Sequence, residues 1–139
     1  MKNLTSQLIN TLHQNRLFSI CLGLSLTYFI HKGIVYALIG SFVPLLFILT
    51  ILSLILFSLK KSPTAFERSM GLWSSLIILW STIRLSLSMI NLFVKPVPEG
   101  HIDGQLGPMS ILLSVAFLFA GTYIWKDRKR IISSNAYNI

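Results

Sequence analysis

Acidic side chains are scarce in this sequence. Only four of its 139 residues are Asp or Glu, against twelve Lys or Arg. The four, Glu67, Glu99, Asp103 and Asp127, all fall outside the long apolar runs. A proton relay of buried carboxylates therefore has no side chains to draw on within those runs. Cysteine occurs once, as Cys21. That excludes an intramolecular disulfide and a Cys-x-x-Cys redox pair, and Cys21 reads as a small buried packing residue. No HExxH, GxSxG or phosphate-cradling P-loop pattern is present. Charge of any sign is sparse, at 12% of residues, where a soluble domain carries roughly 25%.

What the chain has instead is apolar surface. Hydrophobic residues make up 53% of it, and the mean hydropathy is +0.71. So few charges cannot cover that much apolar area in water, so the sequence predicts an integral membrane protein. The net charge of +8 does not indicate nucleic acid. The cations punctuate the apolar segments, as topology signals and contacts to anionic headgroups do.

Four apolar segments can be drawn, at residues 17–30, 34–59, 72–94 and 108–125. They are too continuously apolar for barrel strands, and a spanning helix satisfies its own backbone in lipid. The predicted fold is all-α, a bundle of four transmembrane helices. His31-Lys32-Gly33 is expected to be a tight turn between the first two spans, and Pro44 to kink the second. Thr64 with Glu67 three residues on fits a capping box, which starts the third helix at Thr64. That helix should end before Lys95-Pro96. Pro108 suits the first position of the fourth helix. No small-x-small cleavage site follows the first run, so it is expected to be a retained span.

With the N-terminus cytoplasmic, Lys2, Arg16, Lys60, Lys61, Arg68, Lys126, Arg128, Lys129 and Arg130 lie inside. Lys32 and Lys95 lie outside, and Arg84 lies within the membrane. This bias places both termini in the cytoplasm and favours an even number of spans. A three-span arrangement, with the first segment lying along the surface, is the alternative. Residues 1–16, with Leu4, Leu8 and Leu12 at four-residue spacing, form a cytoplasmic segment, either an interfacial amphipathic helix or a frayed end. Residues 17–125 form the transmembrane domain, and residues 126–139 a basic cytoplasmic tail that meets anionic headgroups. The expected location is the cytoplasmic membrane of a bacterium, as a multi-pass protein.

Arg84 is the residue that asks for an explanation. A central arginine raises the insertion free energy by about 2.5–3.5 kcal/mol on insertion scales. Ser74, Ser81, Arg84, Ser88, Asn91 and Lys95 share one stripe of the third helix. The candidate polar intramembrane face is Ser81, Arg84, Ser88 and Asn91, turned toward other helices or water. Three roles stay open for Arg84: fixing helix packing through serine hydroxyls and carbonyls, binding an anion or lipid phosphate, or pairing with an acidic group on another protein. For Trp80, one turn earlier, a lipid-facing or packed ring is the plainer reading, and stacking on the guanidinium is the alternative. In the loop after residue 94, Glu99, His101 and Asp103 are weak candidates for a divalent metal, and a solvated loop is the plainer reading. Ser110, Ser114 and Gly121, and the pair Ala116 and Ala120, permit close helix approach in the fourth span. No catalytic residue, cofactor or metal is assigned.

Two functions follow as expectations. The first is a non-enzymatic accessory or helix-packing protein, as a homo-oligomer or beside a partner membrane protein. The second is a small oligomeric transporter or channel for an anion or polar solute along the Arg84 face. An enzyme acting on lipid has the least in its favour.

Overall fold

The computed structural model describes residues 15–94 and 107–136, and these are helical apart from short connections. Four helices follow in order: α1 (Arg16–Leu38), α2 (Val43–Lys61), α3 (Pro63–Val94) and α4 (Pro108–Ala136). All four are long and apolar enough to cross a membrane. Each helix packs on its neighbours in sequence, and α1 also packs on α4, so the four close into a ring. This is the up-down-up-down order that short connections favour.

The turn predicted at His31-Lys32-Gly33 does not exist, because α1 runs straight through it. No proline interrupts this stretch, and one glycine within a helix costs only about 1 kcal/mol relative to alanine. Gly33 has a different role. A Cβ there would meet Ile48 Cδ1 at 3.0 Å and Leu45 Cα at 3.2 Å, so its absence lets α1 and α2 touch. The real turn comes at residues 39–42, where Gly40 has φ of +95°. Its N–H donates to the Ala37 carbonyl at 3.0 Å, and the Ser41 N–H donates to the Tyr36 carbonyl at 2.9 Å. These two bonds satisfy carbonyls left open by the end of α1, and the left-handed residue they require is ordinarily glycine. Pro44 does not kink α2, because it falls in its first turn, where the missing N–H has no partner to lose.

A single residue, Ser62, joins α2 to α3. Its backbone is extended (φ −168°, ψ 155°), as the following proline favours. Its Oγ accepts the Ala65 N–H at 3.2 Å. The N-cap is therefore Ser62, with Pro63 at the first helical position, and not Thr64 in a box with Glu67. Pro108 opens α4 as the sequence predicts. However, α4 does not stop at residue 125 but continues through the basic residues to Ala136.

The core is drawn from all four helices and includes Phe18, Ile55, Trp73, Ile77, Phe117 and Ile124. Around it the surface is apolar. In the most apolar stretch of each helix only 17–22% of residues are buried, and Leu, Ile and Phe side chains face outward along every helix. A surface of that kind is consistent with a helical bundle solvated by lipid.

Candidate functional site

The long seam between α3 and α4 is built from small residues. Gly71, Ser74, Ser81 and Ser88 of α3 are buried, as are Ser110, Ser114 and Gly121 of α4. Along α4 the buried positions step by 4, 3, 4 and 3 (Ser110, Ser114, Phe117, Gly121, Ile124), close to the 3.5-residue period of paired helices. At Gly121 an added Cβ would meet Ile78 Cγ1 at 2.9 Å and Ile77 Cγ2 at 3.1 Å. Ser74, Ser81 and Ser114 satisfy their hydroxyls on their own helices. Ser81 Oγ donates to the Ile77 carbonyl at 2.7 Å, and Ser114 Oγ to the Ser110 carbonyl at 2.7 Å. They serve as small residues whose polarity is already answered.

Arg84 sits at one edge of this seam. Its Nε donates to Ser110 Oγ at 2.8 Å, and the Ser88 hydroxyl reaches the same oxygen at 3.3 Å. Its Cζ lies 5.1 Å from the centroid of the Trp80 ring, within cation–π range. Of the predicted polar face, Ser81 and Ser88 are buried, while Arg84 and Asn91 are half-buried. The structure brings Arg84 and Ser88 together on Ser110. Glu99, His101 and Asp103 lie outside the described residues, as do Lys95 and the amphipathic segment up to residue 14. Among the described residues, no group of three or more His, Cys, Asp or Glu could hold a metal ion.

On its other side Arg84 lines a groove of about 370 Å³ between α1, α2 and α3. Lys32 lines it too. The sequence assigns Lys32 to an external loop, but it is half-buried inside α1, six residues from the helix end. The signal that could have placed it was Gly40 followed by Pro44, a helix stop and a helix start. Below the two cations the groove is apolar and aromatic. Tyr28, Phe29, Trp73, Trp80 and Phe117 form one cluster of mostly edge-on rings, with centroids 4.7–5.8 Å apart. Trp73 is anchored in it by Nε1, which donates to Ser25 Oγ at 3.0 Å. Trp73→Phe should lower stability by about 1 kcal/mol, the net worth of one such bond plus a small packing loss. Reversible unfolding in mixed micelles measures it, and an unchanged midpoint would show that the bond contributes nothing.

Two further polar contacts escaped the sequence reading, both toward the opposite end of α4. Asp127 is buried, at 8% exposure, and accepts from Asn15 Nδ2 at 3.3 Å. The Tyr123 hydroxyl donates to Asn15 Oδ1 at 3.4 Å, so the start of α1 is tied to α4. Nearby, Arg128 stacks on Trp125 with Cζ 3.6 Å from the ring centroid. Its guanidinium lies against Gly71, in space that a Cβ at that position would take. The stacking of Arg128 on Trp125 is local to one helix turn, but Asn15 meets Asp127 and Tyr123, and Gly71 meets Arg128, across more than fifty residues of sequence, and no local pattern announces those contacts.

No family model, curated protein or solved structure matches the chain.

Proposed function

We propose that the chain is a non-enzymatic multi-pass membrane protein that works as an accessory subunit through helix packing. Both of its ends lie on the cytoplasmic side, in the cytoplasmic membrane of a bacterium. The observation that carries this reading is the way the polar face of α3 is used. Ser81 and Ser88 are closed against α4, and Arg84 gives its Nε to Ser110 across the seam. A face consumed in packing supports a structural role. It counts against the second reading, a hydrated path for an anion along the same residues. Orientation is supported by charge. Among the described residues, eight cations (Arg16, Lys60, Lys61, Arg68, Lys126, Arg128, Lys129 and Arg130) lie toward one end of the bundle and two, Lys32 and Arg84, toward the other.

The test uses single cysteines at Ser81 and Ser88 in a Cys21→Ser background. A water-soluble maleimide should label neither position in the folded protein from either side, and both after denaturation. Labelling of the folded protein would establish a wetted pathway and favour the transporter. The accessory role has its own readout. Gently extracted full-length chain should run with a second membrane protein in fixed stoichiometry, and a bare monomer or a homo-oligomer alone would overturn it.

A further inference from the structure

The groove between α1, α2 and α3 has a polarity that the accessory role does not use. At one end stand Lys32 and Arg84, on two different helices. From there the groove runs along α3 toward Trp73, eleven residues or about 16 Å away at the helical rise, between Ile48, Leu76 and Ile77. Phe47, Leu79 and Ile83 also line it and are exposed on the outer surface, so the groove opens sideways, where lipid would lie. The cationic end is the one nearer the helix termini, with Lys32 six residues from the end of α1, about 9 Å. A volume of about 370 Å³ is at the small end of ligand pockets, which run about 300–1,000 Å³.

We infer that this groove is a binding site for an anionic phospholipid of the leaflet at that end. Its phosphate is held by Lys32 and Arg84, and one acyl chain lies in the slot toward Trp73. The head-to-tail order of the site matches the order of a lipid in that leaflet, charge toward the surface and hydrocarbon toward the middle. Ser110 holds the Nε of Arg84 at 2.8 Å, which fixes the guanidinium in place before any ligand arrives. Lys32 supplies a compact ammonium with three donors, and among the described residues no hydrogen bond or ion pair engages it. A half-buried ammonium in an apolar wall gains from a phosphate oxygen far more than an exposed one does. Zwitterionic lipids carry the same phosphate with a cation of their own, so discrimination by net charge follows. This inference is independent of the accessory role, since a subunit with or without a protein partner can hold a lipid.

Native mass spectrometry of the full chain in detergent tests it, with phosphatidylglycerol or phosphatidylcholine of identical chains added. Phosphatidylglycerol should be retained at least about tenfold better, and Lys32→Gln should reduce its retention about tenfold, as expected for one charge-assisted hydrogen bond. Lys32 is the residue to change, because Arg84 also holds the α3–α4 seam. Leu79→Trp, which narrows the slot without altering charge, should weaken retention of the lipid as well. Circular dichroism checks that both variants keep the helical content of the wild type. Equal retention of the two lipids, or full retention by Lys32→Gln, would overturn the site. So would displacement of the lipid by millimolar inorganic phosphate, which would mean that the groove takes a free anion and ignores the chain.

Discussion

Gly121→Leu should break the pairing of α3 with α4 and lower stability by about 3 kcal/mol or more. The Cβ alone would approach Ile78 Cγ1 to 2.9 Å and Ile77 Cγ2 to 3.1 Å, and leucine adds three more carbons beyond it. Neither isoleucine can retreat freely, because Ile77 is fully buried in the core and is β-branched with few rotamers. The helices must then move apart. The distance between α3 and α4 is also what lets Arg84 reach Ser110. Gly23→Leu is the control, since nothing lies within 4 Å of a Cβ placed there. It should leave stability unchanged or raise it by up to about 1 kcal/mol through helix propensity. Unfolding of both variants in mixed micelles measures the contrast. Similar midpoints would mean that the seam is not what holds the bundle together.

The second large effect belongs to Ser110→Ala. The substitution removes one oxygen that receives both Arg84 Nε and the Ser88 hydroxyl. A hydrogen bond to a charged group is worth about 1.5–3 kcal/mol, and a donor left without an acceptor in an apolar setting adds its desolvation. A loss of about 2–3 kcal/mol is expected. Ser110→Thr, which keeps the hydroxyl, should recover most of it. The double variant Ser110→Ala with Arg84→Leu should also be more stable than Ser110→Ala alone, because it removes the Nε donor that has lost its Ser110 acceptor. If the double variant is the weaker, the contact is not where Arg84 is stabilised.

The order of helices was legible because apolar length and polar stripes are local signals. Pro108 declares its helix start, and the spacing of Ser81, Arg84 and Ser88 declares one face. The connection between the first two helices does not lie where the charge pattern suggests. His31-Lys32-Gly33 looks like a break in a hydrophobic run, yet a helix tolerates all three residues. Gly40 and Pro44 mark the actual stop and start. Lys32 was lost from the candidate site for that reason. Asp127 with Asn15, and Arg128 with Gly71, were not legible at all, since each contact exists only once the bundle has closed.

Ser62 is the only residue between α2 and α3, and this has a consequence for biosynthesis. A linker of one residue gives the membrane-insertion machinery no loop to hold back while it releases one helix. On the proposed reading, residues 43–94 are expected to pass into lipid as a single hairpin, with Lys60 and Lys61 beside its bend.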